Sequence, residues 1–148
     1  MSSSTEVLNA PHAIEYTYTR STGPAIGAFL TGLRDAKIIG VRGVDGRVLV
    51  PAIDYDPVTS EDIDELVEVA DTGMVTTWSW NDSPLAGQPL SHPFAWALIR
   101  LDGADTAMLA AVDAGDPANI STGARVKARW AEERVGSIRD LVCFEVQK

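Results

Sequence analysis

The stretch Gly73–Ala114, GMVTTWSWNDSPLAGQPLSHPFAWALIRLDGADTAMLAAVDA, holds three apolar segments parted by one polar loop and one tight turn. From Met74 to Asn81 the residue types alternate, with Met74, Thr76, Trp78 and Trp80 on one face and Val75, Thr77 and Ser79 on the other. A period of two marks a β-strand, because successive side chains leave opposite faces of the pleat. Phe94–Leu101 is almost continuously apolar and too short for a typical helix, which predicts a central strand covered on both faces. Asp102-Gly103 then supplies a turn that needs positive φ, and Thr106–Val112 resumes the run, so these two segments should pair as a hairpin. The whole stretch reads as a β-meander.

Toward the N-terminus, Ile38–Val50 reads as a second hairpin, with Asp45-Gly46 as its turn between Val44 and Val48 and Pro51 ending it. Ahead of it, Ser21, Thr22 and Gly23 precede Pro24, and Ile26, Phe29, Leu30 and Leu33 follow at helical spacing, which predicts a helix over Pro24–Ala36. The small and polar start of the chain cannot bury enough surface to offset its entropy, so residues 1–20 are expected to form a mobile tail. Toward the C-terminus, Ala124–Ala131 alternates, placing Val126, Ala128 and Trp130 on one face and Arg125, Lys127 and Arg129 on the other. Leu141–Val146 supplies a last strand. Five or more short strands behind one helix predict a small closed or nearly closed antiparallel barrel, since closure removes exposed sheet edges. Its interior is expected to take Val75, Trp78, Leu98, Leu109 and Val126.

At 148 residues the chain fits one domain with a single core. One cysteine excludes an intramolecular disulfide and any Cys₄ or Cys₂His₂ zinc site, and Cys143, inside the last apolar run, reads as a small core residue. No segment has the roughly 20 apolar residues that cross a bilayer, and the start has neither a basic nor an apolar leader region. A cytoplasmic protein with no membrane partner is the expectation. The net charge of −9 argues against nucleic acid, whose affinity comes from lysine and arginine.

Between Asp54 and Asp71 lie eight acids and no base, a run that usually forms a solvated surface. Asp54, Asp56 and Glu65 occupy the first, third and twelfth places of a calcium loop, but Thr59 stands where glycine is needed and Val58 where a ligand is needed. Leu66–Ala70 reads as strand or helix from local pattern alone. The two histidines, His12 and His92, lack an evident orienting partner, and no Walker loop, nucleophile elbow or dinucleotide fingerprint is present. No catalytic residues can be nominated. The basic row Arg125, Lys127 and Arg129 is either a wet sheet face or a seat for phosphates.

Several short pieces occur in a telling order: Phe29-Leu30-Thr31-Gly32-Leu33-Arg34, Asp45-Gly46-Arg47 with Val50-Pro51, Gly73-Met74-Val75, Pro93-Phe94 with Ala97-Leu98-Ile99-Arg100-Leu101-Asp102, and Gly123-Ala124-Arg125-Val126. Over residues 20–146 this resembles the acyl-CoA-associated OB-fold proteins grouped as domain of unknown function 35. The resemblance implies a mainly β chain: an N-terminal helix over 21–36, a rubredoxin-like ribbon over 37–64, and a C-terminal OB-fold barrel over 65–148, with Glu65–Ala70 as strand. It implies a non-catalytic accessory subunit of a thiolase-superfamily enzyme, an acetyltransferase or a lipid-transfer-protein aldolase of steroid or lipid metabolism. No cofactor is then expected on this chain, and a CoA thioester is expected in the complex, where Arg125, Lys127 and Arg129 are candidates for its phosphates. The four ribbon positions that normally carry thiolates for zinc hold Arg42, Asp45, Asp56 and Thr59, so no metal is expected, and an Arg42–Asp45 ion pair is a weak substitute. The helix stripe Ile26, Phe29, Leu30 and Leu33, with Leu85 and Leu90 of the long loop Asp82–Pro93, is the expected partner surface. The alternative is a free-standing OB-fold module that binds acyl-CoA or another small molecule.

Overall fold

A computed structural model describes residues 9–147. Its elements are helix α1 (Pro24–Arg34) and strands β1 (Ile38–Arg42), β2 (Val48–Leu49), β3 (Leu66–Val69), β4 (Thr72–Asn81), β5 (Phe94–Leu101), β6 (Ala107–Asp113), β7 (Arg125–Trp130) and β8 (Leu141–Val146). Strands β4, β5, β6, β8 and β7 close a five-stranded barrel in that order, and β2, β1 and β3 form a separate three-stranded sheet. All barrel pairs are antiparallel except β6 with β8. Of the expected tail, residues 1–8 lie outside the described residues, while 9–20 are exposed and carry no secondary structure.

The Asp102-Gly103 turn joins β5 to β6 as expected, with Gly103 at φ 92°, a backbone that side chains disfavour. Strand β4 departs from strict alternation. Its register against β5 shifts between Val75 and Thr77, so Val75 and then Trp78 and Trp80 all pack on the core instead of leaving opposite faces. Inside the barrel, Val75, Ile99, Val112, Val126 and Phe144 are fully buried. Two expected interior residues are not: Leu98 and Leu109 sit directly opposite each other on β5 and β6 and point outward, Leu109 being 62% exposed. Strand β5 is still covered on both sides near its start, because Leu90 of its preceding loop, Phe94, Ala111 and Cys143 form a second cluster on the barrel's outer face.

The helix also departs from expectation. Its buried residues are Ala25, Phe29, Gly32 and Leu33, a stripe rotated from the one read in the sequence. Strand β1 supplies the reason: it packs so closely that a Cβ on Gly32 would lie 2.7 Å from Cγ1 of Ile39. Phe29 (5% exposed) and Leu33 (0%) are therefore core and cannot anchor a partner, and Leu90 is withdrawn in the same way. Ile26 remains exposed and Leu30 half-buried. Long-range bonds fix both helix ends, since Ala25 N–H donates to Asp54 Oδ1 (2.9 Å) and Arg134 Nε donates to the Arg34 carbonyl (2.9 Å). The strand after the acidic run forms as the resemblance implies, but β3 pairs with β1, so the ribbon sheet extends to Val69 and the barrel begins at Thr72.

Leu33→Ala is expected to cost about 2–5 kcal/mol, the range for emptying a buried leucine site. Leu98→Ser on the outer face should stay within about 1 kcal/mol of wild type. Urea unfolding of both variants checks the assignment, and similar losses at the two sites would contradict it.

Candidate functional site

The four positions aligned with ribbon thiolates do not make a metal donor set. Arg42 Nε donates to Glu65 (2.7 Å) and its Nη1 to the Gly46 carbonyl, while Asp45 binds Arg47, so the Arg42–Asp45 pair does not form. Thr59 Oγ1 donates to Glu61. Zinc needs four converging thiolates, imidazoles or carboxylates; one cation, one hydroxyl and two carboxylates already engaged elsewhere do not fit it. Among the described residues no cluster of histidine, cysteine and acids is arranged to hold a metal.

Asp56 instead ties the β1–β2 turn to a second turn, over residues 56–60, which Ser60 N–H closes on the Asp56 carbonyl. It is 4% exposed, accepts from Val44 N–H of the first turn (3.1 Å) through Oδ2, and from Val58 and Thr59 N–H of the second (2.8 and 3.0 Å) through Oδ1. Gly43 permits the approach, because a Cβ there would lie 2.9 Å from the carboxylate. The N–H groups of Val58, Thr59 and Val44 stabilise the anion more than burial disfavours it, so its pKa lies below the usual carboxylate value. Asp140, also buried, does the same for the loop before β8, accepting from Val135, Gly136 and Ser137 N–H.

The basic row on β7 is largely neutralised. Both terminal guanidinium nitrogens of Arg125 donate to Asp102, and with Thr72 they hold that carboxyl down at about 2. Arg129 bonds Glu145 (2.7 Å) and Asp113 (3.1 Å), and Lys127 stands opposite Glu145 in the sheet. A phosphate seated on this row would have to displace Asp102, Asp113 and Glu145, which is a reason against that assignment. His92 does find an orienting partner, since its Nε2 lies 3.2 Å from Asp113 Oδ2. No nucleophile follows from it: Cys143 is buried, and burial pushes its thiol up to about 11, so it is protonated at neutral pH.

A concavity of about 510 Å³ lies on the outer face of β5, β6 and β8. Its floor is Trp96, Ala111 and Cys143, one wall is Gly87–Pro89 of the β4–β5 loop, and the other is Ile138 and Arg139 of the β7–β8 loop. Nothing in local sequence pattern flagged it, because its walls come from loops fifty residues apart (Gly87 to Ile138).

A closed barrel whose strands run first, second, third, fifth, fourth, with one parallel pair, is an OB-fold. Residues 66–131 match the family model "ChsH2, C-terminal OB-fold domain". In sequence and fold the barrel is thus similar to the OB-folds of DUF35 proteins. It is similar to a DUF35-family protein of unknown function from Sulfolobus solfataricus, at 28% identity and a TM-score of 0.61, covering 84% of this chain and 85% of that one. It also shares its fold with a chain of the "Ltp2-ChsH2(DUF35) aldolase", at 18% identity and a TM-score of 0.63, covering 86% of this chain and 98% of that one. No curated protein matches the sequence. No helix among the described residues is long and apolar enough to cross a membrane.

If Asp56 is the joint between the turns, Asp56→Ala should lower the melting temperature by more than about 4 °C, as loss of buried hydrogen bonds to a charged acceptor does in a chain of this size. A chelator should leave wild type unmoved. The folded-state pKa lies below the unfolded value near 3.9, so the stabilisation is fully present above that value and is lost as pH falls through the depressed one. Thermal melts from pH 7 to pH 2 with and without EDTA read all three; a chelator-sensitive melt would reassign the joint to a metal.

Proposed function

We propose that this chain is a non-catalytic accessory subunit of a thiolase-superfamily enzyme, of the lipid-transfer-protein aldolase type, acting on a CoA thioester. The observation that carries the reading is fold agreement over 98% of a chain of the Ltp2-ChsH2(DUF35) aldolase, together with the match of residues 66–131 to the ChsH2 C-terminal OB-fold domain. On this reading the reacting groups belong to the partner. This chain contributes a surface that stabilises the partner and borders the path of the acyl-CoA.

The helix core residues Phe29 and Leu33 leave that surface to be sought on the barrel. Leu98 and Leu109 form an exposed cross-strand pair on β5 and β6, and Leu85 stands exposed on the adjoining loop. Neighbouring exposed leucines on a closed barrel are not needed for its core, and covering them by a partner returns the hydrophobic free energy that water exposure forfeits. Central apolar residues of this kind dominate interface energetics, often by 2 kcal/mol or more each.

Co-expression with a thiolase-like subunit encoded nearby is the test. Wild type should co-purify with it and raise its aldol-cleavage or acyl-transfer activity. Leu85→Asp combined with Leu98→Asp should remain folded and lose co-purification at least tenfold. A wild type that never associates overturns the accessory-subunit reading in favour of a free-standing binding module, and a double variant that associates normally moves the interface off this face.

A further inference from the structure

We infer that the concavity between the β4–β5 and β7–β8 loops is a binding site for a small apolar molecule ending in a carboxylate. Its 510 Å³ falls within the range of small-molecule sites, which lies at about 300–1,000 Å³. Its position is the one that OB-folds use: the face of the second and third barrel strands, here β5 and β6, flanked by the first-to-second and fourth-to-fifth loops. Oligonucleotides are among the usual occupants of that face, and the lining here does not suit them. Single-stranded nucleic acid needs a basic groove with several stacking aromatics. This lining offers one aromatic ring, Trp96, and one cation, Arg139.

What remains is apolar surface with two sources of hydrogen-bond donors. Met108, Leu109, Ala111, Ile138, Leu141 and Val142 line the body of the site. Arg139 is the one charged residue in the lining, and its side chain makes no ion pair with any described residue, unlike Arg125 and Arg129. Gln88 is fixed with its carbonyl accepting from Asn81 Nδ2 (2.8 Å) and Leu85 N–H (3.0 Å). Its amide hydrogens then have no acceptor among the described residues. A guanidinium and an amide donor beside an apolar floor call for an acceptor-only group on an apolar body, which a carboxylate with an alkyl or aryl tail supplies. The protein's net charge of −9 opposes anions at long range, so recognition has to be local, through Arg139.

The probes are decanoate and its neutral counterpart 1-decanol, each kept well below the concentration at which it self-associates, titrated into the isolated full chain and followed by Trp fluorescence and by backbone amide chemical shifts. Decanoate should shift the amides of 108–111 and 141–143 in a saturable way and bind about tenfold tighter than 1-decanol, the scale of a charge-assisted bond. Arg139→Gln should abolish that preference while leaving 1-decanol binding in place, and Ala111→Phe should block both. Because Ala111 is buried, Leu109→Ser on the exposed rim is the second variant; it should weaken both probes without loss of fold. The site is overturned by absence of saturable binding, by shifts confined to other parts of the barrel, or by binding that a folded Ala111→Phe leaves unchanged. An equal affinity of wild type for decanoate and 1-decanol overturns the carboxylate. None of these readouts involves the partner subunit, so the accessory-subunit reading stands or falls separately.

Discussion

Closure of the barrel is the constraint on which the rest of the structure depends. Strand β4 pairs with β5 along one edge and with β7 along the other, Thr72–Met74 meeting Arg125–Lys127, so the ring has no free edge on which another strand could add. Closure also fixes which residues face inward. The register shift after Val75 lets one strand present Val75 and then Trp78 and Trp80 to the same core, and the opposite choice is forced on Leu98 and Leu109. Apolar side chains that the barrel cannot enclose thus accumulate on its β5–β6 face.

The parts outside the ring are held by carboxylates aimed at backbone N–H groups. Asp54 bonds the start of α1, Asp56 joins the two ribbon turns, and Asp140 gathers the loop before β8. Asp56 and Asp140 each place an anion where several N–H dipoles converge, an arrangement that satisfies donors no strand or helix can reach. Most acids of the segment 54–71 are exposed, as a solvated face requires; Asp54 and Asp56 make the structural bonds, while Glu65 and Glu68 pair with Arg42 and Lys37 at the surface.

The strands, the helix and the hairpin turns were legible because they are local: alternation, Asp-Gly pairs and a proline at a helix start each act within a few residues. β5 was readable as a strand for the same reason, although only its first residues are covered on both faces. What the sequence concealed was set by contacts far apart in the chain. Helical spacing cannot say which side of α1 faces β1, and it took the close approach of Gly32 to Ile39 to turn Phe29 and Leu33 inward. The basic row on β7 looked free because its partners Asp102, Asp113 and Glu145 come from other strands or strand ends. The concavity was invisible in the same way, with Gly87–Pro89 and Arg139 brought together only by the barrel.

Leu109 belongs both to the exposed pair on β5–β6 and to the lining of the concavity, so a partner on this face and a ligand beside it would meet at one side chain. Sites that share a residue are thermodynamically coupled, each changing the other's affinity by the same factor. The central claim is that this barrel face, and not the helix, is the working surface of the protein. Leucine methyl spectra of the selectively labelled chain, recorded alone and with the thiolase-like subunit proposed as its partner, test it most directly. The account predicts shifts or broadening at Leu85, Leu98 and Leu109 with the Leu33 methyls unmoved; perturbation centred on Leu30 and Leu33, with the barrel leucines unchanged, would contradict it.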